Sequence, residues 1–181
     1  PEKLSPLVVT VRIGTGHGSG FFVGNNGYVL TNAHVVGQAK SVQVQTSNGV
    51  EVEAAVVGVN KSRDVALLKT PLRTPAPLPL RLGFPSVAEE VFVIGSPVKE
   101  SLNGTVTKGI LSAIRTDKDS GLSFLQSDAS ISPGNSGGPL FDSKGHVVGI
   151  ATAKISGGNV ESLGIFIPIN DALKALGMST Y

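Results

Sequence analysis

The chain has no cysteine. That absence removes disulfides, thiolate nucleophiles and the usual cysteine-based structural zinc sites together, and neither a metal nor a cofactor is expected. Aromatic residues are only 5% of the 181 positions, and the 15 lysines and arginines are scattered among 13 aspartates and glutamates. The sequence pI near 9.0 therefore reflects no basic stripe of the kind that tracks nucleic acid. Hydrophobic residues make up 40% of the chain and mean hydropathy is +0.20. No uninterrupted apolar run, however, approaches the roughly 18 residues of a membrane-spanning helix. The glycines from Gly14 to Gly20 match neither the dinucleotide fingerprint nor a phosphate-binding loop, because the spacing fails and no Gly-Lys-Ser/Thr follows. Pro1–Pro6 lacks the charged and apolar regions of a signal peptide. Any targeting segment is thus expected to have been removed or never to have existed.

Glycine is abundant instead, 23 residues of 181 with 11 prolines, spread between apolar runs rather than gathered in one tract. This pattern predicts many turns between short strands. A chain of this size buries about 70% of its unfolded surface, enough for one domain or two small half-domains. Strands are read from Leu7 (LVVTVRI), at Phe21–Val23, across a GNNG hairpin to Tyr28–Thr31, at Ser41–Thr46, Val50–Val59 and Val65–Leu68. The TNAHVV stretch leaves room for a single helical turn. Four prolines within residues 71–79 read as an extended connector. The second half repeats the β texture at Val91, Gly104–Ile114, LSFLQ, His146–Ala153 and SLGIFIP, with a loop at Ser156–Asn159. The glycine-flanked His17 reads as a solvated loop residue. Only the tail is helical, with Asn170 as N-cap, Asp171 in the first turn and Gly177 as stop. The expected fold is all-β: two barrels of about six strands, residues 7–70 and 80–168, then a short helix over 169–177.

One serine stands apart. In SISPGNSGGPL, Ser136 is surrounded by Gly134, Gly137, Gly138 and Pro139, which leaves its hydroxyl accessible and lets backbone N–H groups at Gly134 and Ser136, with Asn135 between them, converge on one point. Such donors suit an oxyanion. A serine hydroxyl is too weak an acid to attack an amide unaided, so it needs a base and a group to orient that base. His34 in TNAHVV and Asp64 in RDVALL supply both types, each at a strand end or loop. They occur in the order His, Asp, Ser, one of the convergent triad orders.

On these motifs, together with GSGFFV, IGSP, GILSA and GIFIPIN, the chain resembles trypsin-like serine endopeptidases of the chymotrypsin fold, closest to the catalytic domain of HtrA (Deg) proteases. The resemblance runs from Leu7 to about Gly177 and includes the short His-to-Asp interval of 30 positions. It implies two perpendicular six-stranded antiparallel barrels, His34 as base and then acid, Asp64 as orienting carboxylate, and Ser136 as the acylated nucleophile. It also implies a primary pocket lined by Ser130, Ile131, Thr152, Ala153, Ile165 and Phe166, with the strand Ile150, Ala151, Thr152 and Ala153 offering its edge to an extended peptide. None of these is acidic, so small or medium aliphatic P1 side chains are expected. Asn135 stands where digestive trypsins carry an aspartate that pairs with a freed N-terminus. Control is therefore expected from loops at Ser96–Thr105, Asp117–Leu122 and Ile155–Val160.

The expected partners are unfolded or extended polypeptides, with neither nucleic acid nor membrane. A peptide-binding, chaperone-like module with a resting, inactive triad is the alternative class. Nothing after Gly177 here could build the PDZ domain that commonly follows in the resembled family. Few residues precede Leu7 to support that family's trimers, so a monomer is preferred to a trimer. The resemblance implies an extracytoplasmic (periplasmic or secreted) or organellar location.

Overall fold

Runs of β-branched and aromatic residues between glycine-bearing turns fold as antiparallel strands, because such side chains pack on a pleated surface and glycine accepts the turn geometry. In the computed structural model, which describes residues 5–74, 76–96, 106–131, 133–157 and 160–178, these runs close into two six-stranded antiparallel barrels. The first contains β1 (Val8–Ile13), β2 (Gly16–Val23), β3 (Tyr28–Thr31), β4 (Ser41–Gln45), β5 (Glu51–Asn60) and β6 (Val65–Lys69). The second contains β7 (Glu90–Ile94), β8 (Val106–Thr116), β9 (Ser123–Ser127), β10 (Pro139–Asp142), β11 (Val147–Gly157) and β12 (Val160–Pro168). Strand neighbours run β1-β2-β3-β6-β5-β4 in one and β7-β8-β9-β12-β11-β10 in the other. The same path is traced twice without a visible sequence repeat. The described residues also form two short α-helices, α1 (Ala33–Val36) and α2 (Ile169–Ala175).

Each barrel has its own interior, and a third apolar cluster joins them. Val9, Val11, Phe22 and Val29 fill the first barrel; Val91, Val93, Leu111 and Leu125 fill the second. The joining cluster brings Phe21, Leu30 and Val65 against Phe141, Ile150 and Ile167, with Ile169 and Leu173 of α2 closing one side. Strand alternation explains how one sequence serves two cores. Phe22 points into its barrel while its neighbour Phe21 points out into the seam. The seam fixes the barrels against each other, and loops from both meet at its end.

Several elements differ from the sequence expectation. β2 begins at Gly16 rather than Phe21, so His17 lies on a strand. Gly18 is there because of close approach: a Cβ on it would sit 2.8 Å from a Val35 methyl and 3.1 Å from the Ser136 carbonyl oxygen. Strand β10 was not anticipated. β11 runs through Gly157 and β12 resumes at Val160, so Ser156 and Gly157 of the expected loop at Ser156–Asn159 lie on a strand. Helix α2 is N-capped by Pro168, not Asn170, and has no side-chain cap bond. The residues 97–105 of the expected control loop at Ser96–Thr105 lie outside the described residues, as do Gly158 and Asn159.

Gly27 seats the connector on the first barrel. Its φ is +85°, and an added Cβ would meet the Leu72 carbonyl oxygen at 2.4 Å and the Thr70 carbonyl oxygen at 2.6 Å. Both neighbours are backbone and cannot swing aside. Gly27→Ala is expected to destabilise the fold by about 3 kcal/mol or more, combining left-handed strain with the clash, read as a lowered urea midpoint at unchanged m-value.

Candidate active site

Asn32 and Ala33 interrupt the strand pattern after β3, and the chain turns once as α1, which carries His34 to the mouth of the seam. Asp64 arrives on the turn before β6 in a left-handed conformation, φ +63°, a region that Asp tolerates better than most residues. That turn is held from several sides. The Asp64 amide donates to the Lys61 carbonyl at 3.2 Å, the Arg63 amide to the Asn60 side chain at 2.9 Å, and the Asn32 amide group to the Asp64 carbonyl at 3.1 Å. The Arg63 side chain is only 3% exposed. It reaches across the seam to the Ser123 carbonyl, to Asp171 at 3.3 Å and over the Phe124 ring at 4.6 Å. The Asp64 turn is thereby tied to the second barrel.

The Asp64 carboxylate meets His34 twice. Its Oδ1 accepts the His34 backbone N–H at 2.9 Å, and its Oδ2 lies 2.7 Å from His34 Nδ1. A carboxylate only accepts, so Nδ1 carries the donating proton and the neutral ring keeps Nε2 as its acceptor. The hydrogen bond to Asp64 raises the His34 pKa above its ordinary value; burial opposes this and the Asp64 charge adds to it. Burial pushes the Asp64 carboxyl up. The hydrogen bonds from the His34 ring, the Thr152 hydroxyl and the His34 amide, with the His34 charge, outweigh it and leave Asp64 below the usual carboxylate range.

Thr152 is the second barrel's contribution to this pair. Its hydroxyl donates to Asp64 Oδ2 at 2.5 Å. The β11–β12 register shifts between Ala151 and Ala153, and such a bulge re-aims a side chain. Thr152, expected among the pocket residues, therefore has its hydroxyl committed to the carboxylate.

Ser136 follows a 3-10 turn, Pro133–Asn135, and is half-buried. The loop lies against the first barrel. Ser19 N–H donates to the Ser136 carbonyl at 2.8 Å, and Gly137 N–H donates to the Ala151 carbonyl at 2.8 Å. Ser136, His34 and His17 line one cleft of about 580 Å³ with Ile13, Val35 and Gln38. His17, expected to be solvated, is exposed but belongs to this cleft. Asn135 is buried against Gly95, where a Cβ would lie 1.8 Å from its Oδ1.

The expected pocket residues divide. Ile131 packs beside Gly164 and Phe166 at the rim of the second barrel's interior; Ile165 is partly exposed and Ser130 exposed. Ile150, Ala151 and Phe166 are fully buried core residues. The backbone of Ile150 pairs with Pro139 and Ile167, and Ala151 N–H donates to the Gly138 carbonyl at 2.9 Å. Both are thus taken up by neighbouring segments. Asn32, Arg63, Ser19 and the role of Thr152 escaped sequence reasoning. Asn32 in TNAHVV, Ser19 in GSGFFV and Arg63 in RDVALL each lie within a motif that the sequence displays, but none of these motifs shows the distant partner.

The family described as trypsin-like peptidase domain matches residues 18–150. The chain is 44% identical over 163 residues to a probable periplasmic serine endoprotease DegP-like of Pseudomonas putida, covering 86% of this chain and 33% of that protein. It is 38% identical over 177 residues to the serine protease HTR4 of Rattus norvegicus, covering 87% of this chain and 36% of the relative. It is also 35% identical over 164 residues to a serine protease HtrA-like of Staphylococcus aureus, covering 83% and 21%. The chain thus spans about a third or less of the length of these relatives.

Proposed function

This chain belongs to the trypsin-like peptidase domain family, and from that premise we propose that it is a serine endopeptidase acting through Ser136, His34 and Asp64. The observation that carries the reading is the His34–Asp64 pair, hydrogen-bonded at 2.7 Å and opening on the same cleft as Ser136. His34 Nε2 accepts the Ser136 proton as Oγ attacks the substrate carbonyl, and the imidazolium is stabilised by Asp64. The same proton then passes to the leaving amine, freeing it and leaving the acyl-enzyme. Water, deprotonated by His34, hydrolyses the ester and restores Ser136. The N–H groups of Gly134 and Ser136 serve the tetrahedral oxyanion, with Asn135 holding the loop between them; each donor is worth on the order of 10²–10³ in rate.

The substrates are extended polypeptides that add to the free edge of β11 from Thr152 onward. Ser130, Ile131 and Ile165 offer the P1 side chain no carboxylate. A buried cationic P1 group would lack a partner, so small and medium aliphatic residues are preferred. Two relatives differ in source yet are both serine proteases by name, and the P. putida relative is named periplasmic. An extracytoplasmic or organellar setting is the matching assignment here. Labelling with a fluorophosphonate followed by mass-spectrometric mapping is expected to place the adduct on Ser136. Peptide libraries are expected to show cleavage after Val, Ala or Leu about 100-fold or more faster than after Lys or Arg. An adduct elsewhere, or efficient cleavage after basic residues, overturns the corresponding assignment.

A further inference from the structure

The joining seam contains one polar residue whose every polar group is used on the nucleophile loop or its surroundings. Ser19, on β2, is fully buried. Its N–H donates to the Ser136 carbonyl at 2.8 Å, and its hydroxyl donates to the Gly134 carbonyl at 2.5 Å. That hydroxyl also accepts the Ser96 N–H at 3.0 Å, and the Ser19 carbonyl accepts the Thr31 hydroxyl at 2.8 Å. The loop rests directly on it, since a Cβ on Gly137 would lie 2.1 Å from the Ser19 carbonyl oxygen.

The two carbonyls held by Ser19 belong to the peptide planes Gly134–Asn135 and Ser136–Gly137. The plane between them carries the Ser136 N–H, and its own carbonyl, that of Asn135, accepts the Gly138 N–H at 2.8 Å. A peptide plane turns only if its neighbours' torsions yield. Pinning both flanking planes therefore fixes the direction of the Ser136 N–H and the position of its Cβ. A residue needed only to fill this space could be alanine. The hydroxyl instead joins three segments from both barrels, and its loss would leave the Ser96 N–H and the Gly134 carbonyl without that partner.

Resting on the serine endopeptidase reading, we propose that Ser19 is a positioning residue for catalysis, a clamp from the first barrel that holds the Gly134 and Ser136 carbonyls and so keeps the nucleophile and its oxyanion donor in register with His34. Displacement of a reacting group by about 1 Å costs on the order of 10²-fold. Ser19→Ala is accordingly expected to lower kcat per fluorophosphonate-titrated site by about 10- to 100-fold with KM within about twofold. Inhibition by a peptide aldehyde, whose hemiacetal oxyanion needs the same donors, weakens in parallel. An unchanged or raised kcat per titrated site overturns the clamp.

A second measurement does not depend on turnover. In a Ser136→Ala background, adding Ser19→Ala is expected to speed amide exchange at Gly137 and Gly138 about tenfold or more, while Val9 and Val44 of the first barrel keep their protection. Equal exchange at the two glycines, or a uniform rise through both barrels, overturns the clamp as well. If the unsubstituted protein neither labels nor turns over, the endopeptidase reading fails, and the exchange result still decides whether Ser19 holds the loop.

Discussion

Ser136→Ala is expected to reduce kcat on casein or a peptide ester by about 10⁴–10⁶-fold while leaving the protein folded. The two halves of that expectation come from different atoms. The loop is fixed by the Ser136 carbonyl on Ser19, the Gly137 amide on Ala151 and the Gly138 amide on Asn135, and none of these bonds uses the Ser136 hydroxyl. Removing one oxygen from a half-buried side chain leaves that scaffold in place, so the melting temperature stays within a few degrees. The proposed nucleophile, by contrast, is gone entirely. Any residual rate over water comes from peptide binding and the oxyanion donors, about 10³–10⁴ in the triad template. Cleavage by Ser136→Ala at the unsubstituted rate would sink the catalytic assignment. Peptide binding without cleavage by the unsubstituted protein would favour a capture module in its place.

The parts of this molecule that were legible in the sequence are those written in contiguous residues. TNAHVV shows its strand break because Asn32 and Ala33 disrupt the β alternation, and α1 is the result. Gly177 shows the end of α2 because it takes φ +68°, a conformation glycine reaches without cost. The expected all-β architecture of two six-stranded barrels with a short terminal helix is what the chain forms.

What escaped depends on contacts between distant residues. Gly16, Gly18 and Gly20 look like a loop, yet they pair with Ile13, Val11 and Val9 as a strand. The small size of Gly18 answers to Val35 and the Ser136 carbonyl, and that of Gly20 to Val29 and the Leu30 carbonyl, neighbours that local sequence does not display. β10 escaped because Pro139 and a four-residue length argue against a strand; its partners β7 and β11 supply the ladder. The cap of α2 was misplaced for a related reason. Asn170 has the better capping chemistry, but the helix begins directly where β12 ends, and the first-turn Asp171 is directed to Arg63. Thr152 reaches Asp64 from 88 positions away and Ser19 reaches Gly134 from 115. A hydroxyl's partner at such separations follows only from how the barrels dock.

Asp64→Asn is expected to lower kcat/KM at neutral pH by about 10⁴-fold and to move its acid limb downward. Asparagine is the informative replacement because it also tolerates the left-handed φ of +63° at this position, whereas alanine would add backbone strain to the loss of the carboxylate. Its side-chain oxygen can still accept the His34 backbone N–H. Its NH₂ group, however, donates, and in the place of Oδ2 it would meet Nδ1 as an acceptor, moving the ring proton to Nε2. That tautomer cannot take the Ser136 proton. The pH dependence follows from the same contact. In the proposed mechanism activity requires neutral His34, so the rate is expected to rise with pH through the His34 pKa, which the Asp64 hydrogen bond holds above its ordinary value. Without the carboxylate, the hydrogen bond and the charge that raise this pKa are lost and the burial that lowers it remains. The inflection of kcat/KM, and the His34 ring titration followed by NMR, are expected to fall together. A loss below about tenfold, or an inflection that stays in place, would remove Asp64 from the role of orienting carboxylate and leave the His34 shift to another cause.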